Sequence, residues 1–133
     1  MPTVFEMIIA GDIPSTKLYE DDVCIAILDI APKAKGHALV ISKKVYDTVS
    51  EAPDETIAHM FSIVKKIDAK MRKELGADGT NVIINNSPAS GQEVPHLHIH
   101  VIPRYENDGL LFFPPSEKYE DGEMKEYGDK LKI

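Results

Sequence analysis

Apolar positions along this chain change their spacing several times, and each change marks an element. Val4, Phe5, Met7, Ile8 and Ile9 crowd a stretch that predicts a short helix over residues 4–10, stopped by Gly11 with Pro14 beyond it. Lys17-Leu18-Tyr19-Glu20 and the run from Val23 to Asp29 read as two strands of a hairpin turned at Asp21-Asp22, the second apolar enough to be central. Turn-forming residues 31–36 lead into a third strand over 37–42. The period then lengthens: Ile57, Met60, Phe61, Val64, Ile67, Met71 and Leu75 fall at helical spacing, with lysines, Asp68 and Glu74 on the other side. That pattern predicts an amphipathic helix near 54–75, with Asp54 as its N-cap and Gly76 as its stop. Its methionines belong to the core, and His59, off the stripe beside Ala58, reads as a solvated histidine without a role.

Two further strands follow at 80–86 and 96–102, joined by a loop of small residues, 87–95. Beyond Pro103-Arg104-Tyr105 the tail carries Pro114-Pro115 and a charged stretch from Glu117 to Lys132, broken by Gly122 and Gly128. A fraying terminal helix and an arm laid against a partner subunit both fit it. Together the elements make an α+β fold, one antiparallel sheet of about five strands with one long helix on one face. Residues 1–105 form the body of a single domain, and 106–133 are its C-terminal extension.

Composition narrows the function. A chain of 133 residues has room for one core, and 28% charged residues with no membrane-length apolar run describe a soluble protein. A net charge of −7 argues against a protein that tracks nucleic acid through its phosphates, although a local site of amides and imidazoles can still hold a small anion. The single cysteine, Cys24, lies in an apolar run without a second thiol, which reads as core. With no basic-then-apolar leader pattern at the N-terminus, the expected compartment is reducing and cytoplasmic.

The chemistry concentrates in His96-Leu97-His98-Ile99-His100-Val101-Ile102. On a strand the three imidazoles share one face, spaced about 6.5–7 Å apart, while Leu97, Ile99 and Val101 turn to the helix side. A core strand has no use for three polar rings, each of which needs a partner when buried. Three readings fit: a zinc site completed from elsewhere, with His37 as a candidate ligand; histidines merely exposed on an open sheet; and phosphate chemistry. The last draws on the preceding loop, where Ser90-Gly91 offers main-chain amides and Gln92 a side-chain donor.

The run Gly91-Gln92-Glu93-Val94-Pro95-His96-Leu97-His98-Ile99-His100-Val101-Ile102-Pro103-Arg104 resembles the signature of the histidine triad (HIT) superfamily of nucleotide hydrolases and transferases. Gly11-Asp12-Ile13-Pro14, Leu28-Asp29-Ile30-Ala31-Pro32 and Gly36-His37-Ala38-Leu39-Val40-Ile41 extend the likeness over residues 4–105. The resemblance implies that His98 is the nucleophile at an α-phosphorus, giving a nucleotidyl-imidazole that water hydrolyses. It implies that His100 and Gln92 hold phosphate oxygens, helped by Asn85 and the amides around Gly91. By the same likeness His37 and His96 form the hydrogen-bonded surround that orients His98, and Asp29 takes the ribose hydroxyls. Phe5, Ile8, Leu28 and Ile30 are then candidates for the base slot, and Val94 belongs to the same nucleotide-binding set. Glu93 stands where the signature often has serine or threonine, and its charge bears on protonation of the leaving group. The structural zinc ligands of many bacterial relatives are replaced by Thr3, Glu6 and Val45, so neither metal nor cofactor is expected. The implied activity is hydrolysis of purine nucleoside 5′-phosphoramidates. Hydrolysis of dinucleoside polyphosphates is the alternative, and a non-catalytic nucleotide-binding scaffold is the alternative of another class. The resemblance also implies a homodimer, joined through the long helix and a sheet edge.

Overall fold

The computed structural model describes residues 2–133. The chain runs through helix α1 (Val4–Ile9), strands β1 (Lys17–Glu20), β2 (Cys24–Leu28) and β3 (Ala38–Ser42), helix α2 (Asp54–Glu74), strands β4 (Gly79–Ile83) and β5 (His98–Arg104), and helix α3 (Glu123–Leu131). All five strands form one sheet in the order β1-β2-β3-β5-β4, and every neighbouring pair is antiparallel. This is the α+β arrangement that the pattern predicts. Among the described residues no helix is long and apolar enough to cross a membrane.

Strand alternation sorts the core into two layers. Cys24, Ala26, Ala38, Val40, Leu97, Ile99 and Val101 face α2, which buries Met60, Ile63, Val64, Ile67 and Met71 against them. Ile25, Ile27, Leu39 and Ile41 face the other way and meet Phe5 of α1, with Ile8, Ile9 and Val94 around them. α1 is begun by a capping box: Thr3 Oγ1 accepts the Glu6 amide, and the Glu6 carboxylate accepts the Thr3 amide. That cap holds a helix of only six residues in place.

Several details differ from the sequence reading. Asp54 is not the N-cap of α2; Pro53 occupies that position, and Asp54 sits in the first turn, where its charge suits the helix dipole. Gly76 does follow the helix in the left-handed region, at φ 67°. Phe61 and Leu75 are exposed, and Ile63 takes the buried place instead, because the stripe follows one helical face more narrowly than the list of apolar residues. β4 ends at Ile83, not at Asn86, since Asn85 and Asn86 already turn into the loop. His59 is not simply solvated: its Nε2 lies 2.5 Å from Asp21 Oδ2, clasping α2 to the β1–β2 turn. Asp21 also accepts from Tyr19 Oη and from the amides of Val23 and Cys24, and these donors hold its carboxyl below the usual range.

The two faces of α2 give an expected contrast. Met60→Ala removes a fully buried side chain and should cost about 2–5 kcal/mol, whereas Phe61→Ala should cost about 1 kcal/mol or less. Urea unfolding of both variants checks this; equal losses would contradict the burial pattern.

Candidate active site

β5 and β3 carry the histidine-bearing face. His98 pairs with Ile41 and His100 with Leu39, so both imidazoles emerge on the α1 side of the sheet, their ring centroids 5.0 Å apart. Phe5 lies edge-on to His98 with centroids 4.8 Å apart, and His98 is only 7% exposed. His98 Nδ1 is 2.7 Å from the main-chain carbonyl of His96. A carbonyl only accepts, so Nδ1 carries the proton and Nε2 keeps its lone pair. Burial lowers the pKa of His98 below that of free imidazole and so favours this neutral form.

A second chain of hydrogen bonds fixes His100. The Lys33 amide donates to His37 Nδ1 across 3.0 Å, which leaves the His37 proton on Nε2. That Nε2 is 2.9 Å from His100 Nδ1, which therefore accepts, and the His100 proton is left on Nε2. Burial lowers His37 and takes His100 down to about 4. The face thus presents a bare nitrogen on His98 beside an N–H on His100, both on uncharged rings near pH 7.

His96 is not the third member of a row. β5 begins at His98, and His96, wholly buried, lies before the ladder. Its Nε2 donates to the Ser42 carbonyl across 2.6 Å, and its Nδ1 accepts from Thr3 Oγ1 across 2.9 Å. The ring ties α1 to the end of β3, and the main-chain carbonyl of the same residue sets the His98 tautomer. His37, 2% exposed, acts on His100.

The remaining predicted residues divide. Asp29 follows β2 and places Oδ2 3.8 Å from His37 Nε2 while Oδ1 accepts the Ala31 amide. Phe5, Ile8 and Val94 share the histidine side of the sheet. Leu28 does not: it falls on the opposite face, in a groove beside α2, and Ile27 takes the histidine side. Ile30 is 96% exposed, with no residue of the chain over it. Gly91 needs its φ of 100°, and a Cβ there would come within 3.9 Å of Asn85 Nδ2, so this loop brings Asn85 and the Gly91 main chain together. Gln92 braces the same loop, accepting the Ser87 amide at 2.8 Å and donating to the Asp47 carbonyl at 2.6 Å, with one amide hydrogen left. Glu93 is exposed, and its charge favours a protonated His98. Thr3, Ile27, Lys33 and Ser42 went unread as site residues, although Thr3-x-x-Glu6 carries the capping-box signature.

Two groups bring metal-binding atoms within 4.8 Å of one another: Asp29, His37 and His100, and Asp21, Cys24 and His59. In the first, the two facing imidazole nitrogens share one proton. In the second, Asp21 is saturated with donors, and burial pushes the Cys24 thiol up to about 12.

The HIT domain family profile matches residues 10–107. The chain belongs to the HIT family. HIT relatives include an adenosine 5′-monophosphoramidase of Schizosaccharomyces pombe, 39% identical over 98% of this chain and 96% of that one. An adenylylsulfatase of Arabidopsis thaliana is 47% identical over 80% of this chain and 54% of its own length, so the chain spans about half of that protein. The crystal structure of a HIT family member from Bacillus subtilis aligns with a TM-score of 0.89 at 38% identity, over 98% of this chain and 95% of the other.

The lowered histidine values have a consequence for stability. A folded-state pKa below the ordinary 6.5 means that the unfolded chain binds more protons as pH falls from 6.5 toward about 4, so stability is lost through that window. We expect a lower urea midpoint at pH 5 than at pH 7, and a shallower pH slope in His100→Gln. Identical slopes would show that the imidazoles are not kept neutral by the fold.

Proposed function

We propose that this HIT protein hydrolyses nucleoside 5′-phosphoramidates through attack of His98 Nε2 on the α-phosphorus. The observation that carries the reading is the paired tautomer: a lone pair on His98 Nε2 beside a proton on His100 Nε2. The His98–phosphorus bond forms as the phosphorus–nitrogen bond breaks, and the departing amine takes a proton from solvent water. Positive charge then develops on the His98 ring, whose Nδ1–H still points at the His96 carbonyl. Water next attacks phosphorus and gives up a proton to solvent, the phosphorus–His98 bond breaks to restore the neutral ring, and a nucleoside monophosphate leaves. His100 Nε2–H donates to a non-bridging oxygen as charge builds there, with Asn85, the Gly91 main chain and the remaining Gln92 hydrogen at the other side of the phosphate. Asp29 accepts from the ribose hydroxyls, and Phe5, Ile8, Val94 and Ile27 wall the base on the histidine side, with exposed Ile30 against it. No other group is needed to supply the nucleophile.

Cleavage of an anionic leaving group is the second reading, favoured by the similarity to an adenylylsulfatase. Glu93 discriminates between the two, because a carboxylate whose charge is felt at His98 disfavours a departing sulfate or nucleotide and tolerates an amine. Glu93→Ser should therefore raise the ratio of kcat/KM for adenylyl sulfate over that for adenosine 5′-phosphoramidate several-fold. A ratio that stays constant would remove Glu93 from leaving-group selection.

His98→Ala should keep AMP binding and lose at least about 10³-fold in turnover of adenosine 5′-phosphoramidate. Wild type that binds AMP but turns nothing over would leave the scaffold reading in place of an enzyme. The acid limb of wild-type kcat/KM should lie below pH 6.5, since protonation of a lowered-pKa His98 removes the attacking lone pair. A profile flat from pH 8 to pH 5 would exclude that nitrogen as the nucleophile.

A further inference from the structure

β4 ends at Ile83 and β5 begins at His98, so residues 84–97 lie outside the sheet ladder. That excursion carries Asn85 and Gly91, the groups set against the phosphate in the reading above. A loop off the ladder drifts unless something ties it down, and donors that drift cannot meet charge at a fixed point. Internal bonds settle its shape. The Ser87 amide donates to Gln92 Oε1 across 2.8 Å, the Ser90 amide to the Ser87 carbonyl across 3.1 Å, and Ser90 Oγ to the Asn86 carbonyl across 2.9 Å. These bonds leave its position relative to His98 open.

Among the described residues, two hydrogen bonds tie residues 85–92 to the rest of the chain, and both reach one segment. Gln92 Nε2 donates to the Asp47 carbonyl across 2.6 Å, and the Val49 amide donates to Asn86 Oδ1 across 2.9 Å. The carbonyl of Tyr46, next to Asp47, accepts the amide of Leu97 across 2.6 Å, one residue before His98. The connection between β3 and α2 therefore touches both halves of the site, the phosphate loop and the start of the histidine strand. It is itself firm. Tyr46, Val49 and Ala52 pack against the α2 layer of the core, and the Glu51 carboxylate accepts the Asp47 amide across 2.9 Å. Val49 opens a 3-10 turn, Val49–Glu51, where an amide has no partner within the turn and is free to donate outward.

We propose that Asn86 is a positioning residue, which fixes the phosphate loop at its working distance from His98 by accepting the Val49 amide. The inference rests on the proposed function for what the loop does, and on the hydrogen bonds alone for how the loop is held. Asn86 touches no reacting atom. It acts through Asn85 before it and through the turn that its own carbonyl helps to close at Ser90. Because Asn86 is exposed, the bond buries little, and its removal should move the loop without unfolding the domain.

Steady-state kinetics of the full-length protein on adenosine 5′-phosphoramidate test the role. Asn86→Ala should lower kcat about 10-fold with KM within about two-fold and an unchanged urea midpoint, because donors aimed at the transition state lose most when displaced. Asn86→Asp keeps an acceptor for the Val49 amide and should hold kcat within about two-fold of wild type. Val49→Pro removes the donor at a position that suits proline, since Thr48 before it is extended with ψ 170°. Its loss in kcat should not add to that of Asn86→Ala. Full kcat in Asn86→Ala, an equal loss in Asn86→Asp, or additive losses in the double variant would overturn the role. The heteronuclear nitrogen-15 NOE at Ser90 and Gly91 reads the loop without turnover, and it should fall in Asn86→Ala and recover in Asn86→Asp. An unchanged NOE in Asn86→Ala overturns the tether whatever the activity. An inactive wild type whose variants show the expected NOE changes strikes the catalytic reading and leaves the tether standing.

Discussion

Which nitrogen of His98 is basic depends on a single hydrogen bond, from its Nδ1 to the main-chain carbonyl of His96. That carbonyl can serve only if the residue bearing it cannot move. His96 is held through both ring nitrogens, by the Ser42 carbonyl and by the Thr3 hydroxyl, and Leu97 beside it donates its amide to the Tyr46 carbonyl. The short helix α1 therefore supports the histidine cluster twice over. Its cap residue Thr3 supplies the donor that completes His96, and Phe5 supplies the wall against His98. An imidazole left with an unpaired buried nitrogen costs about 1–3 kcal/mol, so these bonds are what make a buried histidine cluster tolerable. Among the described residues no buried side-chain nitrogen or oxygen lacks a partner.

The two faces of the sheet are packed differently. On one side, methionines and branched aliphatics of α2 close a dry layer. On the other, the layer is thinner, Phe5 is its one buried contribution from α1, and polar rings replace aliphatics along β5. Because paired residues on β3 and β5 share a face, Leu39 and Ile41 form the apolar bed from which His100 and His98 rise. That bed lowers the pKa of both rings by desolvation, and so the packing reaches the protonation state without any charged partner having to act.

Much of this was legible in the residues. Five strands, the long helix and the split of Leu97, Ile99 and Val101 from His98 and His100 all follow from period alone. The misreadings have physical causes. β2 is buried on both faces, so its alternation shows no polar phase, and Leu28 could not be told from Ile27 as the residue facing the histidines. His96 continues the alternation perfectly, yet period says nothing about where a ladder begins; Pro95 just before it is the signal that the chain has not yet joined the sheet. Gln92 was read for its donor capacity alone, whereas the loop uses most of that capacity on Ser87 and Asp47. His59 looked idle because its partner, Asp21, is 38 positions away. The arm stays open in the sequence because its helix, Glu123–Leu131, buries no residue, so its apolar positions do not say which surface they meet.

The relation between His98 and His100 follows from their spacing. Two positive charges 5.0 Å apart repel by about 3 kcal/mol at an effective dielectric near 20. In the proposed reaction, where a phosphoryl group on His98 makes its ring cationic, His100 becomes harder still to protonate, starting from a value already near 4. In that reading His100 stays a neutral donor and does not compete for the proton that a departing amine requires. The Lys33–His37–His100 chain enforces the same outcome from behind, since His100 Nδ1 already accepts a proton-bearing nitrogen and has no lone pair to spare. Together the spacing and the chain divide the work between two chemically identical side chains, one with an open lone pair and one with a fixed N–H, by the hydrogen bonds that the surrounding main chain imposes.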